Sequence, residues 1–341
     1  MSLDQRYIDT GMVLRPTWRA YLRHSILLFV TFCTATIAGT LFPFGPIATL
    51  PDVETDPQTV AQWFDFLLSL PSRYFVLIGG AVQDIFSKPE LLSYGLRFSL
   101  SLLFILICHE MGHYIACRIY KVDATLPFFI PTPPMFGPAG TFGAFIKIMS
   151  PLPSRKAIFD IGVAGPIAGF LALIPIAFVG IATMKPATAE QLANAASSGI
   201  RFSNPLLIHG VGKLLGIDPS THIDTPFYYA AWVGLLVTAL NLIPSGQLDG
   251  GHALYAVFGE NVHRWTGRIA FVVMATLSIL GFIFYGSPSG FLIAILLGIM
   301  MRIKHPQPWD QTPLDGKRKL VAAITLLIFI LSFVPFPIQL N

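Results

Sequence analysis

The chain is short of charge. Only 12% of its 341 residues are Asp, Glu, Lys or Arg, against 54% hydrophobic, and the mean hydropathy is +0.66. A soluble domain carries about 25% charged residues, so this composition excludes an ordinary water-soluble fold. It also excludes a dedicated nucleic-acid surface, because the net charge of +4 is small and no basic-aromatic cluster gathers it. Cysteine is scarce. Cys33, Cys108 and Cys117 form no CxxC pair, and Cys108 and Cys117 would lie roughly 13 Å apart along one helix, too far to bridge. They read as apolar packing residues, with no disulfide framework and no cysteine metal site. There is no internal repeat, no low-complexity tail and no polar stretch long enough for a separate soluble domain. A cleavable signal pattern is also missing. Residues 1–24 are polar, with Arg6, Arg15, Arg19 and Arg23, and the long apolar segment after them reads as a retained first span.

What the chain has instead is a series of apolar runs of membrane length. They predict spans at 25–43, 94–117, 157–184, 227–248, 266–285, 288–302 and 319–338. The run 288–302 is short, which calls for tilt or tight packing. The stretch 74–86 is shorter still, contains Gln83 and Asp84, and reads as interfacial. Charge orients the set. With a cytoplasmic N-terminus, the crossings place Arg118, Lys121, Arg155, Lys156, Arg264, Arg268, Arg302, Lys304, Lys317, Arg318 and Lys319 on the same side as the four N-terminal arginines, 15 of the 22 basic residues. The opposite loops, 44–93 and 185–226, hold few, and the first is acidic at Asp52, Glu54 and Asp56. This is the positive-inside pattern. Loop 185–226, punctuated by Pro, Ser and Ala, is expected to be exterior with one short helix.

The segment 124–156 resists a helical reading. Pro127, Pro131, Pro133, Pro134 and Pro138 break it, Gly137, Gly140 and Gly143 allow tight turns, and 140–148 then reads as an extended strand. Irregular backbone at membrane depth must be surrounded by protein or line a water-filled cavity. The expected fold is therefore an all-α polytopic membrane protein of about seven transmembrane helices, with a small re-entrant β-strand or hairpin element near 124–150. The chain divides into 1–93 (N-terminal segment, first span and exterior loop), 94–260 (a transmembrane core) and 261–341 (C-terminal helices).

Chemistry is concentrated in His109-Glu110-Met111-Gly112-His113, which continues the uncharged run Phe98–Cys108. Residues four apart share a helix face, so the two imidazoles can grip one zinc ion while Glu110 stands beside them as a base for water. Ionisable groups at membrane depth are costly and point to function. His113 precedes Arg118 by five residues, roughly 7 Å below the basic boundary. A catalytic zinc needs a third protein ligand. Asn241-Leu-Ile-Pro244-Ser-Gly-Gln-Leu248-Asp249-Gly250-Gly251 offers Asp249, and His252 competes with it. Asn241 can hydrogen-bond the oxyanion of a tetrahedral intermediate or simply bond a neighbouring helix. The strand residues Gly140, Thr141, Phe142, Gly143, Ala144 and Phe145 can receive an extended peptide by edge pairing; the alternative is a plain cytoplasmic loop.

With these residues placed, the chain resembles the site-2 protease family of intramembrane zinc metalloproteases. The resemblance covers roughly 94–260 and rests on His109–His113 and on Asn241 with Leu248-Asp249-Gly250. Gly165-Pro166-Ile167-Ala168-Gly169 looks like a third family motif, with close packing of small residues around a proline as its simplest role. The stretch 109–170 looks like the branch without an inserted PDZ domain, found in bacteria, cyanobacteria and plastids. The resemblance implies one Zn2+ per chain held by His109, His113 and Asp249, with Asp249 favoured over His252. It implies Glu110 as base and proton carrier and Asn241 as an oxyanion partner. It further implies regulated cleavage of membrane-protein substrates, such as an anti-sigma factor or a membrane-tethered transcription factor, in a bacterial cytoplasmic membrane with the N-terminus inside. The competing expectation is a non-proteolytic transporter or scaffold holding metal structurally, which would need four protein ligands.

Overall fold

The computed structural model describes residues 15–47, 58–136, 138–197, 199–301 and 307–340. Arg6, Asp52, Glu54, Asp56, Gly137, Arg302 and Lys304, used above for charge or turns, lie outside the described residues. In chain order the helices are α1 (Trp18–Thr40), α2 (Val60–Ser87), α3 (Pro89–Ile119), α4 (Arg155–Ala182), α5 (Ala189–Ser197), α6 (Leu206–Leu215), α7 (Pro226–Asn241), α8 (Asp249–Phe258), α9 (Glu260–Tyr285), α10 (Ser289–Met300) and α11 (Gly316–Ser332). The strands are β1 (Phe128–Pro131), β2 (Thr141–Phe145), β3 (Lys185–Pro186), β4 (Ile200–Phe202), β5 (His222–Ile223) and β6 (Ile338–Leu340). Five helices, α1, α2, α3, α4 and α9, are long and apolar enough to cross a membrane, while α7, α10 and α11 are apolar but shorter, at 16, 12 and 17 residues. The chain is an all-α, multi-pass membrane protein, as its composition requires.

Two of the apolar segments differ from the sequence expectation. The stretch 74–86 belongs to a 28-residue helix, largely exposed along its length. Its start was hidden because it is set by a cap: the Thr59 hydroxyl accepts from Gln62 N–H and the Gln62 amide oxygen accepts from Thr59 N–H, fifteen residues ahead of the apolar run. The span expected at 227–248 stops at Asn241, because Pro244 lacks an N–H and Gly246 turns the backbone left-handed at φ 56.

The centre of the molecule is the packing of α3 on α4 and of both on α7. On α3 one stripe is buried throughout: Phe98, Leu102, Ile105, Leu106, His109 and His113. The spacing is that of a single helix face, so the two histidines extend the same stripe that builds the apolar core. β1 and β2 form an antiparallel hairpin that lies along α1. Its base is fixed where His24 Nδ1 donates to the Pro127 carbonyl (2.9 Å), and its tip where the Thr34 hydroxyl donates to the Gly140 carbonyl (2.8 Å). His24 and Thr34 are ten residues apart, roughly 15 Å of helix rise, so the hairpin runs along about half the length of α1. Gly140 has φ 75 and approaches the backbone of Thr34 too closely for a Cβ, so no other residue type fits at the tip. The strand expected near 124–150 is thus one arm of an antiparallel hairpin packed on α1, with Ile130, Phe142 and Phe145 exposed.

Loop 185–226 holds two short helices where one was expected, with β3 paired to β5 and β4 paired to β6 near the C-terminus. Asp224 ends this loop just before α7. Tyr229 donates a hydrogen bond to its carboxylate (2.9 Å), and burial pushes the carboxyl up to about 6. A folded value above the unfolded one, about 3.9, means that stability is highest below the unfolded value and falls as pH rises through about 6. Asp224→Asn is therefore expected to stabilise the protein at pH 8 by on the order of 2–3 kcal/mol, with little effect near pH 4. Thermal unfolding of both proteins in detergent at the two pH values reads this directly; equal melting at pH 8 would contradict it.

Candidate metal centre

The site is built where α3, α4, the hairpin and the α7–α8 turn converge. α3 supplies His109 and His113 one turn apart, both buried. The α7–α8 turn supplies Asp249 as the first residue of α8, where the positive end of the helix dipole favours a carboxylate. The next two residues must be glycine: a Cβ at Gly250 would strike the Leu242 carbonyl, and one at Gly251 the carbonyls of Ser245 and Gly246. Their small size lets the first turn of α8 fold back on the loop and aim Asp249 inward.

The three donor atoms form a compact triangle. His109 Nε2 and His113 Nε2 are 3.1 Å apart, and Asp249 Oδ2 lies 3.2 and 3.3 Å from them. Bonds of 2.0–2.1 Å in a tetrahedral zinc site place neighbouring ligand atoms about 3.3 Å apart, so the residues present fit the metal. His113 Nδ1 donates to the Ile161 carbonyl at 2.7 Å, which leaves Nε2 as a lone-pair donor facing Asp249. Among the described residues, the metal-capable set whose donor atoms lie within 4.8 Å of one another is this triad. His252, the competing candidate, lines the same cavity but stands outside the triad.

A cavity of about 230 Å³ opens on the triad, lined by Glu110, Ala144, Phe145, Asn241, Gln247 and His252 among others. Glu110 is buried at 4% exposure and its carboxylate accepts from the Ile146 N–H, just beyond β2. Asn241 Nδ2 lies 3.3 Å from His109 Nε2, so its amide reaches the metal position. The strand residues divide. Ala144 and Phe145 line the cavity. Gly140 packs on α1, the Thr141 hydroxyl is turned inward to the Ile130 carbonyl, Phe142 points outward at 58% exposure, and Gly143 is buried, its N–H donating to the Thr141 hydroxyl.

Further contributors lie on α4. A Cβ at Gly165 would fall on the His113 ring, and one at Gly169 would come within 3.0 Å of His109 Cβ. Gly112, inside the histidine motif, packs against the Ala164 backbone in return. The Gly165–Gly169 motif is therefore the seat of the two imidazoles, a role foreshadowed by its spacing of four. The Ile161 carbonyl could not be found from sequence, since every residue has one; it is singled out only by lying one turn before Gly165.

Fold and site together define a multi-pass membrane metalloprotein of the His-Glu-x-x-His type. The sequence profile of peptidase family M50 matches residues 97–285, more than half of the chain, and the chain belongs to that family. This agrees with the site-2 protease resemblance. Among curated relatives, the probable zinc metalloprotease EGY1, chloroplastic, of Oryza sativa subsp. japonica is 32% identical over 233 residues, covering 67% of this chain and 38% of the relative. The Arabidopsis thaliana EGY1 protein is 31% identical over 241 residues (68% and 41%), and Arabidopsis EGY2 is 27% identical over 308 residues (86% and 53%). The chain thus spans about half or less of the length of these relatives.

Proposed function

We propose that the protein is an intramembrane zinc metalloprotease that hydrolyses peptide bonds within or near transmembrane segments of membrane-protein substrates. The observation that carries this reading is a three-ligand triad, two histidines buried on a membrane-length helix and a carboxylate at the start of α8, whose open side faces both Glu110 and a strand. His109, His113 and Asp249 would hold zinc, which when bound acidifies water and polarises a carbonyl. Glu110 takes a proton from the attacking water and delivers it to the departing amine nitrogen as the C–N bond breaks, returning to the carboxylate. Hydroxyl adds to the carbonyl carbon, so the products are a carboxylic acid and an amine. The Asn241 amide donates to the carbonyl oxygen as negative charge gathers there. A helical substrate must unwind first, because its carbonyls are already hydrogen-bonded. Ala144 and Phe145, beside Glu110, are the part of β2 placed to hold the extended form.

In this reading 94–260 is the catalytic core, flanked by 1–93 and 261–341. The distribution of Lys and Arg supports an N-terminus on the cytoplasmic side. The resemblance to the branch without a PDZ domain supports a bacterial cytoplasmic membrane, with a plastid membrane as the competing address because the named relatives are chloroplastic. An anti-sigma factor or a membrane-tethered transcription factor is the substrate type the resemblance favours.

The reading is tested with detergent-purified protein and a labelled single-span substrate. A photoreactive phenylalanine analogue at position 145 is expected to capture the substrate, and the same analogue at position 142 at least tenfold less. Equal capture at both positions would remove the strand from the mechanism. Bound metal without cleavage of any of a panel of spans would return the chain to the transporter or scaffold reading.

A further inference from the structure

Behind the metal centre lies a second, larger cavity of about 670 Å³, between α8 and α11. Its walls are apolar side chains such as Ala253, Val257, Ala322 and Leu326, and among the described residues the one charged residue lining it is Lys319. Lys319 stands in the first turn of α11, at the end of the bundle where Arg155 and Arg318 also lie. Arg318 is engaged with Asp160 and Asp315, while Lys319 forms no ion pair among the described residues.

The wall between this groove and the catalytic cavity is one chain thick. Asn241 and Asp249 line the metal side, and the residues that follow each of them, Leu242 and Gly250, line the groove. Whatever fills the groove touches the reverse face of the turn that presents Asp249.

We propose that this groove is a binding site for an anionic phospholipid, with one acyl chain between α8 and α11 and the phosphate at Lys319, and that its occupancy buttresses the Asp249 turn. The argument is one of matched chemistry. An open apolar slot in a helical bundle of a membrane protein, ending in a single unpaired cation at the basic boundary, presents hydrocarbon and positive charge in the order in which an anionic lipid presents its complement. A neutral lipid would satisfy the slot but leave the exposed Lys319 ammonium with water alone, forgoing an attraction of about 1 kcal/mol. A transmembrane helix of a partner would fill the slot but has no reason to bring an anion to its end.

The test uses the full chain in nanodiscs holding equal amounts of phosphatidylglycerol and phosphatidylcholine, each in turn carrying a photoactivatable acyl chain. Phosphatidylglycerol is expected to crosslink to residues 253–258 and 319–329 about fivefold more than phosphatidylcholine, the effect of roughly one basic charge near the surface. Lys319→Gln should erase that preference, whereas Lys317→Gln, at an exposed residue outside the groove, should keep it. Equal labelling by both lipids, a preference that survives Lys319→Gln, or protein–protein crosslinks from the groove in place of lipid would each overturn the site. For the buttressing, a chelator is expected to strip zinc more slowly from discs of phosphatidylglycerol than from discs of phosphatidylcholine, with Lys319→Gln removing the difference. Equal rates for the wild type would overturn that half. Neither readout requires cleavage, so they stand or fall separately from the protease reading.

Discussion

Glu110→Gln is expected to lower peptide cleavage by a factor of about 10² to 10⁴, the usual contribution of a positioned general base, while the protein keeps about one zinc per chain. The reasoning is geometric. Glu110 lies outside the three-atom triangle of His109, His113 and Asp249, so the metal does not depend on it. The amide is the same size as the carboxylate and still accepts from the Ile146 N–H, so the packing around it is kept. What the amide cannot do is take a proton from water and pass it to the leaving nitrogen. Cleavage of a labelled span, measured with metal content on the same preparations, decides the matter. Activity of the variant within a few-fold of the wild type would remove Glu110 from the chemistry, and loss of zinc together with activity would show that it serves the metal instead.

The second large effect is expected at a residue with no reactive group. Gly165→Ala should weaken zinc binding by about 10- to 100-fold, the range found when the support of a ligand is disturbed. The added methyl would occupy the space of the His113 ring, so the imidazole must swing away and give up its hydrogen bond to the Ile161 carbonyl. Gly169→Ala should be milder, because its methyl meets His109 at Cβ and Nδ1, at 3.0 and 3.2 Å, and a small shift of α4 relieves it. The order of zinc loss under graded chelator, Gly165→Ala before Gly169→Ala before wild type, is the signature to look for, with circular dichroism confirming intact helices. Wild-type zinc affinity in Gly165→Ala would mean that the helix pair tolerates a methyl there and that the seat for the imidazoles lies elsewhere.

Much of this was legible in the chain because the constraints were local. Membrane-length apolar runs announce spanning helices, since an unpaired backbone cannot sit in lipid. The His109–His113 spacing announces one helix face, since the period of a helix is fixed. The prolines and glycines of 124–156 announce irregular backbone for the same kind of reason. Where local signals were weak the expectation slipped. The stretch 74–86 reads as interfacial by hydropathy, whereas a capping box at Thr59 begins the helix that contains it. α7 ends at Asn241, seven residues short of the expected span, because only Leu242, Ile243 and Leu248 continue the apolar run and the backbone turns at Pro244 and Gly246.

The sequence by itself determined the class of the molecule and put two histidines and a carboxylate on one apolar helix; it offered Asp249 and His252 as third donors, and only the family resemblance favoured Asp249. Only the tertiary structure decided how segments more than a hundred residues apart meet. It brought Asp249 within 3.3 Å of both imidazoles, turned the Gly165 motif into their seat, and chose the Ile161 carbonyl as the partner of His113. It also put Ala144 and Phe145 in the cavity and left Gly140 through Gly143 out of it, because hairpin register and the anchoring of the tip on α1 are set by contacts between elements. The physical reason is the same throughout: periodicity tells which side chains share a face, and only packing tells what that face meets.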